Sequence, residues 1–119
     1  MLTFRSIPAP TVESGFPAFW HPAGLFAAVV LDDRAFGIVG LLPMSPSVGW
    51  LSYCALPADR QWLTKHRVEQ ILRWPQTVYN MHTVFIWTMH MHLARILQKL
   101  GHPCAWSGAD STLFVVETS

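Results

Sequence analysis

The stretch Val48–Leu72, VGWLSYCALPADRQWLTKHRVEQIL, constrains the fold more than any other part of the chain. Val48 to Leu56 is apolar, with Gly49 and Ser52 as its small members and aromatic rings at Trp50 and Tyr53. It is too short for an isolated helix, so it reads as a buried strand that Pro57 ends. Asp59 can cap a following helix by accepting from the free N–H groups of its first turn. Leu63, Val68, Ile71 and Leu72 give that helix a mostly one-sided apolar face. The helix is expected to stop near Trp74-Pro75, because proline disfavours helical geometry in the residue before it. A strand, a tight turn and a helix start bring unpaired N–H groups and the helix dipole together, which suits an anion.

The rest of the sequence sets bounds. With 119 residues the chain is expected to be one domain, large enough to bury a core without staples. Its charged fraction of 13% and net charge of +1 argue against nucleic acid as the main partner, since displacing counterions from phosphates needs a patch of Lys and Arg. The longest strongly apolar run, Leu25 to Leu31, is too short to span a bilayer. MLTFRSIPAP lacks an apolar core of signal-peptide length, so a cytoplasmic origin is expected. Cys54 and Cys104 read as buried free thiols, with a disulfide as the alternative.

In chain order, Leu2 to Ile7 alternates apolar and polar residues as a strand with one buried face does. Pro8 to Pro22 is a proline-rich loop with one helix-like piece at Thr11–Ser14, and it carries Phe16, Phe19, Trp20 and His21. Gly24–Leu31 and Ala35–Leu42 form an antiparallel hairpin around Asp32-Asp33-Arg34. After the turn Pro43–Ser47, the central strand and the first helix, Thr83–Thr88 is a further core strand. A crossover of this length implies that it pairs in parallel with the central strand. Leu93, Ile96, Leu97 and Leu100 mark a second helix, ended by Gly101 as a left-handed cap. Cys104–Ser107 and Thr112–Glu117 close the chain as a hairpin around Gly108-Ala109-Asp110.

Two short motifs carry a resemblance. Leu56-Pro57 followed by Arg60-Gln61-Trp62-Leu63-Thr64-Lys65 resembles the cofactor-binding core of the GNAT-type N-acetyltransferase superfamily, where a strand ending V-x-P leads into Arg/Gln-x-x-Gly-x-Gly/Ala and a helix. Arg60 fits the first position, while Leu63 and Lys65 stand where the two small residues should be. Ala94-Arg95-Ile96-Leu97-Gln98-Lys99-Leu100-Gly101-His102 is similar to the family's A-x-x-L-Y-x-K-L-G-F helix end, with one residue fewer before Leu97. Counted back from Gly101, Leu97 takes the place of the tyrosine that commonly protonates the leaving thiolate of coenzyme A, and His102 that of the phenylalanine. The element order is similar to the whole GNAT plan. The resemblance therefore implies an α+β class: a single GNAT-like domain over residues 1–119, with a mixed central sheet of about six to seven strands and two main helices. Strands four and five should be parallel and splay at their C-terminal ends, with Cys54 and Ala55 near the split.

The resemblance makes Ala55, Arg60, Leu63 and Lys65 the cofactor-binding positions, in a degenerate form. Backbone N–H groups reach a pyrophosphate only where flanking positions lack bulk, and Leu63 and Lys65 add side chains there. Leu97 has no proton to donate. No catalytic residue is assigned; Tyr53-Cys54 and the pair His66 and Glu69 are the nearest candidates for reactive groups. His90-Met91-His92 offers two metal ligands with no Asp, Glu or Cys beside them in sequence, so no metal is expected. The resulting expectation is a catalytically degenerate GNAT-like protein without cofactor, acting in assembly or protein–protein contact. Phe16, Phe19, Trp20, Trp62, Trp74 and Trp106 would supply its surface. In size and in its losses the chain is similar to GNAT-like head-assembly and internal virion proteins of tailed bacteriophages, which implies a protein partner, with self-association open, in a virion or host cytoplasm. The alternative is an active acetyl-CoA-dependent N-acyltransferase with a variant cofactor loop, in which Tyr53 or a histidine replaces the missing acid.

Overall fold

The computed structural model of the protein describes residues 2–8, 24–54, 62–89 and 91–117, and for Cys54 the backbone alone. The loop with Phe16, Phe19 and Trp20, the positions Ala55, Asp59 and Arg60, and His90 lie outside the described residues. The elements run β1 (Leu2–Ile7), β2 (Leu25–Leu31), β3 (Arg34–Pro43), β4 (Val48–Cys54), α1 (Lys65–Tyr79), β5 (Thr83–Thr88), α2 (Met91–Lys99), β6 (Cys104–Ser107) and β7 (Thr112–Glu117). The strands form one seven-stranded sheet in the order β1-β2-β3-β4-β5-β7-β6.

Local chemistry accounts for the joints. Asp32 and Asp33 both take positive φ, 51° and 65°, which is the two-residue hairpin turn whose twist matches that of its strands. Gly101, at φ 84°, ends α2: its N–H donates to Gln98 O and the His102 N–H to Leu97 O, the paired bonds of a left-handed cap. The helix α1 departs from expectation at both ends. Its N-cap is Thr64, whose hydroxyl accepts from Arg67 N. It runs through Pro75 to a left-handed cap at Asn80. Packing overrides the proline there: Trp74 is buried, stacks on Phe4 at 5.9 Å between centroids and meets Tyr79 edge-on at 5.4 Å. That burial also removes Trp74 from the expected contact surface.

β4 and β5 are parallel neighbours joined through α1. The Ser47 carbonyl accepts from both His82 N (2.9 Å) and Thr83 N (3.1 Å), which closes the pair at its N-terminal end. The ladder then runs from Val48–Thr83 to Leu51–Ile86 and stops. Beyond it β4 continues beside β3 as far as Cys54, and β5 beside β7 as far as Thr88. The two strands therefore form a fork that opens towards their C-terminal ends, as expected.

The core lies on the helix side of the sheet. Val39, Leu41, Leu51, Val84, Ile86, Phe114 and Val116 from the strands meet Val68, Ile71 and Leu72 of α1 and Leu93, Ile96 and Leu97 of α2. The opposite face carries Trp50, Phe85, Leu113 and Val115, half-buried, and Trp87, exposed. Among the described residues no helix is long and apolar enough to cross a membrane.

Candidate functional site

The fork and the start of α1 lie against one another. A cavity of about 20 Å³ beneath the fork is lined from both: Leu51 and Tyr53 of β4 and Ile86 of β5 on one side, Leu63 and Val68 on the other, with Leu93 of α2. That volume is room for about one water molecule. Tyr53 owes its place to Gly37 on the neighbouring strand, where an added Cβ would come within 2.6 Å of the Tyr53 hydroxyl.

The chain entering α1 is tied down residue by residue. The Trp62 ring stacks on Phe36 at 5.9 Å and carries two guanidinium groups over it, Arg34 at 5.1 Å and Arg67 at 5.3 Å. Arg67 Nη1 also donates to the Trp62 carbonyl at 2.7 Å. The next carbonyl, that of Leu63, lies 2.8 Å from His92 Nε2. A carbonyl only accepts, so His92 carries its proton on that nitrogen. Thr64 then takes the Arg67 N–H on its hydroxyl and the Val68 N–H on its carbonyl. The N–H groups of Lys65 and His66, in the first turn, have no acceptor within the helix. That turn carries Lys65, His66 and Arg67 and no acid. A helix start ordinarily favours acids and disfavours cations, so this one runs against the usual charge pattern.

Of the expected cofactor positions, Leu63 and Lys65 are brought to this helix start, and Ala55 and Arg60 lie outside the described residues. Leu63 is not a plug. Its side chain is 5% exposed and turns into the core, while Lys65 stands exposed. Leu97 is wholly buried, a packing residue. Cys104 is exposed rather than buried. His66 is exposed, and its expected partner Glu69 lies 3.9 Å from Arg73. No group of three or more His, Cys, Asp and Glu that could hold a metal occurs among the described residues. The sequence reading missed Arg34, Phe36 and Arg67 as partners of Trp62. A cation at the third helical position was the one legible signal, because it runs against the helix dipole.

No family model and no curated protein matches the sequence. Solved structures do. Campylobacter jejuni N-acetyltransferase PseH, in complex with acetyl coenzyme A, superposes with a TM-score of 0.70 at 10% identity, with 100% of each chain covered. Spermidine N-acetyltransferase from Vibrio cholerae gives 0.73 at 10% identity over 98% of this chain and 93% of that one. A Bacillus subtilis acetyltransferase in complex with CoA gives 0.73 at 12% identity, with 100% of each covered. These neighbours overturn the expectation of a degenerate, cofactor-free contact protein: they are acetyltransferases, and two of them hold acetyl coenzyme A or CoA. The physical reason is the one the helix start gives. Bulk at the two small-residue positions was expected to exclude a pyrophosphate, yet the Leu63 side chain leaves that space for the core and Lys65 projects into solvent. The seven-stranded mixed sheet, the parallel fork of β4 and β5 and the two helices give this chain the fold of the GNAT acetyltransferases.

Proposed function

We propose that the protein is an acetyl-CoA-dependent N-acyltransferase. The observation that carries this reading is the fork of β4 and β5 beside the cationic, acid-free start of α1. The residues fit a coenzyme A. The N–H groups of Lys65 and His66 would receive phosphate oxygens, with the Lys65 and Arg67 cations beside them. Ala55 and Arg60 flank the same loop in sequence. The bonds from Arg67 to the Trp62 carbonyl and from His92 to the Leu63 carbonyl hold the backbone of these two residues in place ahead of the helix. When bound, the cofactor would supply an acetyl thioester as the acyl donor, its acetyl group going to the amine nitrogen and its sulfur leaving as the thiol with the proton that nitrogen sheds.

The remaining chemistry is this chain's own. The α1 and α2 side chains close one face of the fork, which keeps water away from it on that side. Leu97, fully buried, provides no proton donor at the position where the family pattern has tyrosine. A positioned acid contributes roughly 10²–10⁴-fold, so turnover is expected to be slow for the fold. The test is mass spectrometry of amine products formed with acetyl-CoA and the purified protein. Amide that accumulates in proportion to protein supports the reading, and product no faster than in the protein-free control overturns it.

A further inference from the structure

The two arms of the fork separate at its last rung, Leu51–Ile86. Past it the β4 arm is held by β3 and leads to α1, while the β5 arm is held by β7 and leads to α2. Among the described residues no rung of the sheet joins the arms beyond that point. Leu63, before α1, and Leu93, on α2, both line the apolar cavity, but apolar contact is non-directional and tolerates sliding. A directional bond does cross from one arm to the other. His92, in the first turn of α2, places Nε2 2.8 Å from the carbonyl of Leu63, 29 residues earlier in the chain. The peptide unit is planar, so holding the Leu63 oxygen also sets the plane of the Thr64 N–H, and Thr64 is the cap of α1. Arg67 sets the preceding plane through the Trp62 carbonyl, but it belongs to α1 and moves with it. Of these two ties, the one from His92 reaches α1 from the other arm.

We infer, on the acyltransferase reading above, that His92 is a positioning residue for the acyl donor. Its bond to the Leu63 carbonyl sets the start of α1, with the Lys65 and His66 N–H groups, against the β5 arm of the fork. A donor that reaches both the helix start and the fork gains from its second contact only when the first leaves it within reach, and a loose setting of the arms reduces that gain. His92 itself is exposed, on a helix whose buried side chains are Leu93, Ile96 and Leu97. It therefore adds little to the core, and what it contributes is an N–H donor. Glutamine carries an amide N–H to about the place of Nε2, whereas phenylalanine keeps a ring and removes the donor.

Hydrogen exchange of the ligand-free full chain, read amide by amide by NMR in wild type, His92→Phe and His92→Gln, tests the tie itself. The Arg67 N–H, bonded to Thr64 Oγ1, and the Val68 N–H, bonded to the Thr64 carbonyl, report on the start of α1. The N–H groups of Asn80 and Leu100, bonded to the Gln76 and Ile96 carbonyls, report on the far ends of α1 and α2. Phenylalanine is expected to speed exchange at Arg67 and Val68 about fivefold and to leave Asn80 and Leu100 unchanged, with glutamine restoring most of the protection. Unchanged exchange at Arg67 and Val68, equal acceleration at all four amides, or no recovery with glutamine overturns the inference. Isothermal titration with acetyl-CoA reads the consequence: affinity about tenfold weaker in His92→Phe and mostly recovered in His92→Gln. Equal affinity in wild type and His92→Phe overturns the inference. If wild type shows no saturable binding, it is the acyltransferase reading that fails, and the exchange pattern alone then upholds or overturns the tie between the arms.

Discussion

Leu63→Ala separates a core anchor from a plug in the ligand path. The side chain is 5% exposed and packs with Val68, Ile71 and Leu93 around a cavity that already exists. Leucine-to-alanine changes in cores cost about 2–5 kcal/mol, and more where neighbours cannot close the space. Here Leu63 is pinned through its carbonyl to His92 and its neighbours are pinned with it, so collapse is limited and about 3 kcal/mol is expected. Against a total stability of about 5–15 kcal/mol this is a large fraction. Urea unfolding followed by circular dichroism reads it as a midpoint lower by about 1–3 M at unchanged slope, for slopes of about 1–3 kcal/mol/M. Acetyl-CoA affinity should fall or stay level in the variant, because the backbone bearing the Lys65 and His66 N–H groups loses its anchor. Lys65→Ala, at an exposed position, should stay within about 0.5 kcal/mol of wild type. If Leu63→Ala proved neutral in stability and bound acetyl-CoA more tightly, Leu63 would project where a pyrophosphate belongs rather than into the core.

Gly37→Ala should cost about 1–3 kcal/mol through its collision with the Tyr53 ring, and the loss should largely vanish in a Tyr53→Ala background; equal costs in both backgrounds would deny the contact. Thr64→Ala should lose about 1 kcal/mol as an N-cap, which calorimetric melting tests directly; an unchanged melting temperature would deny the cap. His102 has its pKa lowered from the usual 6.5 by burial, with the Glu69 carboxylate partly opposing. Between that lowered value and 6.5 the unfolded chain binds more protons, so stability contributed by His102 is full above 6.5 and is lost as pH falls below it. The melting temperature of wild type should therefore drop more from pH 7.5 to 5.5 than that of His102→Phe; identical drops would remove His102 from the account.

The sheet was legible because short apolar runs bounded by turn residues are a local signal. Thr83–Thr88 turns Val84, Ile86 and Thr88 inward and Phe85 and Trp87 outward, and both the strand and its parallel partner followed from length and connection alone. The ends of α1 were not legible, since they are set from a distance. Thr64 and Asp59 are both acceptable caps by type, and what selects Thr64 is that Leu63 must be inside the core. Pro75 reads as a stop, yet Phe4, a residue of the first strand, holds the turn around it by stacking on Trp74. The same gap misled the reading of the site. Position in a motif says which residue stands where a small one is usual, but not which way its side chain goes. Leu63 goes inward, and Trp62 is fixed by Arg34 and Phe36 from a hairpin far off in sequence.

Isothermal titration of the purified chain with acetyl-CoA, run beside Arg67→Ala, tests the central claim most directly. The account predicts saturable one-site binding in the micromolar range, roughly −7 to −8 kcal/mol, weakened in the variant because a cation and the anchor of the Trp62 carbonyl are lost together. No saturation at 1 mM ligand, roughly −4 kcal/mol or weaker, would contradict it.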